Sequence, residues 1–160
     1  MISYRFLFLL LLLLPIHNLV AQEDAFEPLF ENIDITRGLP HNTVQRIFQD
    51  SEGYMWFATK DGLCRYDGYN FIVYCESLVK ESISNSKIRC IAEDAHKNIW
   101  VGTDNGLNCI NLLSQHILSF FPNELSPLKS NKINELYFDS STHLLWIATD
   151  KGITWYDTNS

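Results

Sequence analysis

The chain has 160 residues, 46% of them apolar and 19% charged, which is the balance of an ordinary globular domain and excludes a disordered tail. Twelve Lys and Arg against nineteen Asp and Glu give a net charge of −7 with no basic cluster, so a phosphate-tracking surface for nucleic acid is excluded. Aromatics make up 13%, with ten Phe and seven Tyr against two Met, and they favour a β-rich fold with many turns over a helical bundle.

The chain opens with Arg5, an unbroken run of nine Phe and Leu from Phe6 to Leu14, then Pro15 and Ile16, and ends its apolar stretch before Leu19-Val20-Ala21. This pattern is that of a secretory signal peptide over residues 1–21, with cleavage between Ala21 and Gln22. The run falls short of the roughly 20 residues that cross a bilayer. Losing Arg5 leaves eleven basic and nineteen acidic residues, a net charge of −8.

Residues 22–43 read as an outer strand near 30–35 followed by a lead-in. The expected strands then come in sets: 44–49, 54–59, 63–66 and 70–75; 87–93, 99–103, 107–110 and 116–121; and 132–138, 145–149 and 153–156. Polar, Ser-, Asn- and Pro-rich stretches at 77–86 and 122–131 separate the sets as loops.

The sets are copies of one another. Gly53-Tyr-Met-Trp-Phe-Ala-Thr-Lys-Asp-Gly-Leu63 recurs as Asn98-Ile-Trp-Val-Gly-Thr-Asp-Asn-Gly-Leu107 and as Leu144-Leu-Trp-Ile-Ala-Thr-Asp-Lys-Gly-Ile153. Trp56, Trp100 and Trp146 are 44 and 46 residues apart, and Gly62, Gly106 and Gly152 keep the same intervals. Upstream, Val44, Ile88 and Ile133 are each followed six positions later by Asp50, Asp94 and Asp139, which read as hairpin-turn residues. A longer turn after Asp139 accounts for the extra residues of the third copy. A period of about 40 to 50 residues with several short strands each is the signature of propeller blades.

Alternation puts Trp56 and Ala58 on one strand face and Phe57 and Thr59 on the other, both substantially apolar. Such a strand must be covered twice, as happens when a sheet is sandwiched between neighbouring blades. Gly62, Gly106 and Gly152 stand where a tight hairpin demands positive φ. The expected fold class is therefore all-β, with blades of four antiparallel strands at 44–76 and 87–121 and an incomplete third blade at 132–157.

Cys64, Cys75, Cys90 and Cys109 show no Cys-x-x-Cys spacing and lie in apolar, strand-like runs, so they read as buried free thiols, with disulfides in one of three pairings as the alternative in an oxidising compartment. His41, His96, His116 and His143 form no metal-ligand pattern, Ser51, Ser84 and Ser140 lack a nucleophile setting, and no phosphate-cradling loop occurs. No cofactor, metal or catalytic residue is expected. Lys60, Asp61, Asp104 and Asn105 fall in turns where blade-connecting loops of propellers hold ligands, but turn formation accounts for them equally well.

Gly38-Leu-Pro-His-Asn-Thr-Val44, Gln49-Asp-Ser-Glu-Gly-Tyr-Met-Trp-Phe-Ala-Thr59 and Gly62-Leu-Cys-Arg-Tyr-Asp-Gly-Tyr-Asn-Phe71 closely resemble the two-component regulator propeller repeat. The resemblance covers residues 30–157. It implies the N-terminal part of a periplasmic sensor region of a hybrid two-component system of Bacteroides-like bacteria, a histidine kinase receptor that senses carbohydrate breakdown products. Its implied partners are the remaining propeller blades or another chain and an oligosaccharide ligand, with the membrane reached only through a C-terminal portion. The kinase core of such receptors has no counterpart here, so no enzyme is expected in this stretch. About 139 residues after the leader make three blades at most, too few to close a ring of about 4 to 8, so the expectation is a fragment. The alternatives are an exported propeller enzyme resembling streptogramin lyase, which shares short repeats of this kind, and a truncated chain without activity.

Overall fold

The computed structural model describes residues 29–78, 81–124 and 127–159, and everything below concerns those residues. The leader and its expected cut at Ala21-Gln22 lie outside them. Eleven strands form in chain order: β1 Val44–Gln49, β2 Met55–Thr59, β3 Leu63–Tyr66, β4 Phe71–Tyr74, β5 Ile88–Glu93, β6 Asn98–Thr103, β7 Gly106–Asn111, β8 His116–Phe120, β9 Ile133–Asp139, β10 Leu144–Thr149 and β11 Gly152–Asp157. They build three antiparallel meanders, β1-β2-β3-β4, β5-β6-β7-β8 and β9-β10-β11. These are two complete propeller blades and one three-stranded blade, which leave the ring open as the repeat spacing predicts.

The strand expected near 30–35 does not form; residues 35–38 are a turn instead. Asp34 makes that turn. Its Oδ1 accepts from the backbone N–H and the hydroxyl of Thr36, at 2.9 and 2.6 Å, and its carbonyl accepts from Arg37 N–H. These bonds favour the ionised form and hold the Asp34 carboxyl below its usual range. Beyond the turn Leu39 is buried, and Gly38, at φ +121°, lies so close to Phe71 that a Cβ would fall 2.6 Å from its ring.

Two apolar seams hold the blades together. Trp56, Ala58 and Leu63 of the first blade meet Ile88, Ile91, Ile99, Val101 and Ile110 of the second. The other face of the second blade, with Cys90, Ala92, Trp100 and Leu107, meets Ile133, Leu136, Leu145 and Ile147 of the third. The first and second blades thus present their tryptophans to the blade that follows. Burying one aromatic side chain removes roughly 200 Å² from water, worth about 5 kcal/mol as an upper figure, so these seams are the main source of cohesion.

The small residue two positions after each tryptophan is required by the same contact. A Cβ on Gly102 would stand 2.4 Å from Cys90 Sγ and 2.6 Å from Ile133 Cγ2 of the next blade. The innermost strands share a further device: the register shifts between Val44 and Arg46, between Ile88 and Cys90, and opposite Ile133 and Glu135. The displaced residues are Gln45, Arg89 and Asn134, and each bulge re-aims its side chain. Arg89 uses this to donate to Asp104 Oδ1 at 2.8 Å and to Asn134 Oδ1 of the next blade at 3.3 Å.

Candidate functional site

The repeated residues are structural first. Asp50 is buried at the β1–β2 turn; its Oδ1 accepts from Glu52 and Tyr54 N–H, and its Oδ2 accepts the indole N–H of Trp56 at 2.7 Å. Asp94 repeats this, taking His96 and Asn98 N–H on Oδ1 and the Trp100 indole on Oδ2 at 2.8 Å. A tryptophan that must be buried needs an acceptor for its N–H, and a turn needs its amides tied, so one carboxylate serves both. In the third blade the longer turn places the ring seven positions after the acid rather than six. Asp139 binds Ser141 and Thr142 instead, which lowers its pKa, and among the described residues no acceptor meets the Trp146 indole.

The threonines close the next turn. Thr59, Thr103 and Thr149 each donate a hydroxyl to the carbonyl of Gly62, Gly106 and Gly152, at 2.7, 2.8 and 2.9 Å. The same hydroxyls accept N–H of Asp61, Asn105 and Lys151. The three glycines have φ of +138°, +122° and +112°, as the hairpin reading predicts.

The four histidines among the described residues are spread apart. His41 Nδ1 accepts Thr43 N–H, His96 sits in the Asp94 turn, His116 lies 3.2 Å from Glu81, and the His143 carbonyl accepts from Thr158. Among the described residues no three His, Cys, Asp or Glu gather closely enough to hold a metal ion. The cysteines are all free thiols; Cys64 and Cys90 are buried, Cys109 is half-buried, and Cys75 is exposed, contrary to the expectation of burial for all four. Cys75 follows the last residue of the outer strand β4, where nothing covers it. Burial pushes the Cys64 thiol up to about 11 and the Cys90 and Cys109 thiols up to about 12, so none of the three is a nucleophile near neutrality.

One region departs from the repeat. In the pairing of second and third strands Trp56 faces Arg65, whereas Trp100 faces Cys109 and Trp146 faces Trp155. The Arg65 guanidinium lies over the Tyr54 ring, 4.6 Å from its centre, and 6.0 Å from that of Trp56. It forms the divide between two cavities in the groove where the first and second blades splay apart. One, of about 330 Å³, is bounded by Tyr74, Glu81 and Gln115, and the other, of about 410 Å³, by Tyr54, Glu93 and Lys97; Asn111 and Leu112 line both. Burial raises the Tyr74 pKa, and the nearby Arg65 charge opposes that rise. Nothing periodic marks this groove; the only signal in the sequence is that a charged residue stands where the other copies have Cys and Trp.

The third blade shows the opposite situation, an uncovered face. Tyr137, Trp146 and Trp155 are directly paired across β9, β10 and β11 and so lie on one face. Trp56 and Trp100 are 0% and 3% exposed, but Trp146 is 39% and Trp155 53% exposed.

The two-component regulator propeller family model matches residues 38–61 and 82–105. Among solved structures, the extracellular domain of BT3049 from B. thetaiotaomicron, assigned as a hybrid two-component system, superposes with a TM-score of 0.73 and 30% identity over 81% of this chain. That of BT4673 from the same organism, also assigned as a hybrid two-component system, gives 0.60 and 25% over 72%. The chain spans only 19% and 16% of those two domains. Virginiamycin B lyase from Staphylococcus aureus gives 0.51 at 17% identity over 77% of this chain and 44% of the lyase, a likeness of fold alone. No curated protein sequence matches the chain.

Proposed function

Because the chain belongs to the two-component regulator propeller family, we propose that it supplies the opening blades of an exported, periplasmic sensor domain of a hybrid two-component receptor. The sensor binds a carbohydrate breakdown product and passes a change of domain position to a kinase elsewhere in the receptor; this stretch contributes no catalytic group. The observation that carries the reading is the 30% identical superposition on the BT3049 extracellular domain, spread over 81% of the chain rather than confined to one repeat.

The uncovered face of the third blade supports the same reading. Trp56 is sealed by aliphatic side chains of the following blade, and Trp100 by aliphatic side chains and Tyr156 of the third. By the same rule Tyr137, Trp146 and Trp155 take a fourth blade, either of the same polypeptide or of another chain.

The test is transcriptional. Deleting the coding sequence for residues 38–157 and growing the strain on a panel of single polysaccharides should abolish induction of a degradative gene cluster on one glycan and leave the others unchanged. Identical transcription in parent and deletion strains on every glycan would overturn the assignment.

A further inference from the structure

The repeat that builds the two seams also shapes the two outer faces of the blade stack, and it makes them complementary. In each seam the leading blade offers a tryptophan and, two positions on, a small residue paired with an aliphatic one: Trp56 with Ala58 and Leu63, then Trp100 with Gly102 and Leu107. All six are buried. Trp146 with Ala148 and Ile153 is the third such set, and among the described residues no blade covers it; Ile153 is 73% exposed.

The second blade and its lead-in answer Trp56 with six apolar side chains, Ile83, Ile88, Ile91, Ile99, Val101 and Ile110. Their counterparts 44 residues earlier are Leu39, Val44, Ile47, Met55, Phe57 and Tyr66, again all apolar. Ile47 pairs directly with Phe57 on the strand face away from Trp56, and it is 65% exposed. One end of the stack is therefore a tryptophan face without an acceptor, and the other is an acceptor face without a tryptophan.

The chain makes this contact twice within itself, and we propose that it makes it again with a second copy. The third blade of one copy docks on the first blade of the other, and reciprocally, so that two sets of three blades close a ring of six, within the about 4 to 8 of closed propellers. This rests on the reading above that the third face takes a further blade, and names that blade. The apolar surface left exposed on the two faces is roughly 800 Å² for one seam and roughly 1,600 Å² for both seams of the ring, the area a stable interface buries. The acids on the tryptophan face are engaged within the chain: Glu135 with Arg46, Asp139 with Ser141 and Thr142, and Asp157 with the N–H of Asn159.

Sedimentation velocity and light scattering test this on the chain expressed whole with its own leader. The parent should show twice the monomer mass. Ile153→Glu blocks the tryptophan face and Ile47→Glu the acceptor face, and both side chains are exposed, so neither change disturbs a seam inside the chain. Each variant alone should be monomeric, and the two mixed in equal amounts should recover a dimer through the one seam that they can still form. If circular dichroism shows either variant unfolded, Trp155→Thr and Ile47→Thr replace them. A parent that stays monomeric at every concentration overturns the proposal and leaves the face to a blade of a longer polypeptide. Growth past the dimer overturns the closed ring. Ile47→Glu that dimerises as tightly as the parent overturns the head-to-tail contact, because two tryptophan faces would then meet each other. None of these results bears on the transcription experiment, which decides the sensor reading separately.

Discussion

Replacing Asp94 by Ala isolates the bond that ties turn to tryptophan. Asp94 is 5% exposed and accepts four hydrogen bonds, from His96 N–H, Asn98 N–H, the Asn98 side-chain amide at 3.0 Å and the Trp100 indole. Water replaces the carboxylate at the turn amides, but the Trp100 N–H is sealed in the seam with the third blade. One buried donor left unsatisfied costs about 1–3 kcal/mol, and loss of the charge-assisted turn bonds adds about 1. The total of about 3 kcal/mol corresponds to a fall in melting midpoint of roughly 10 °C for a domain of this size. The assay is thermal unfolding followed by circular dichroism, with Asp139→Ala as the internal control. Asp139 occupies the same place in the third repeat but binds only Ser141 and Thr142, so its removal should cost the turn bonds alone, about 1 kcal/mol or roughly 3 °C. Equal losses in the two variants would refute the reasoning, because the repeat position rather than the indole bond would then govern stability.

Three further outcomes follow from the packing. Gly102→Ala forces a methyl to within 2.4 Å of Cys90 Sγ and should cost on the order of 2 kcal/mol, read as a lower denaturation midpoint in urea. In native protein at pH 8 a thiol reagent should label Cys75 alone, and all four cysteines after unfolding. Burial raises the folded pKa of Cys90 and Cys109 from 9.0 to about 12, so their contribution is fully present below pH 9 and declines as pH rises from there to about 12. Trp155→Thr removes an exposed ring from the uncovered face and should reduce concentration-dependent association in sedimentation velocity; an unchanged profile would mean that this face does not drive association.

The blades were legible in the sequence because burial on both faces of a strand recurs with the structural period, and Trp56, Trp100 and Trp146 mark it directly. Turn glycines were equally readable, since positive φ restricts the residue type. The double duty of Asp50 and Asp94 was only half legible: their spacing to tryptophan is regular, but a turn residue and an indole acceptor look alike in a sequence. The strand expected near residues 30–35 does not form, because Asp34 redirects that chain into a turn. Ion pairs between repeats were not legible at all. Arg46 pairs with Glu135 across 89 residues, and Lys97 with Glu52 across 45, which no local pattern encodes. The Arg65 groove escaped for a related reason, as it is built from the residues in which the first copy differs from the others.

Hydroxyl-radical footprinting read by mass spectrometry tests most directly whether each blade seals the tryptophan of the one before it. Oxidation should be fast at Trp155 and Trp146 and slow at Trp56 and Trp100, in the order of their exposure. Rapid oxidation of Trp56 or Trp100 in the native chain, or protection of Trp146 equal to theirs, would contradict the stacked-blade arrangement.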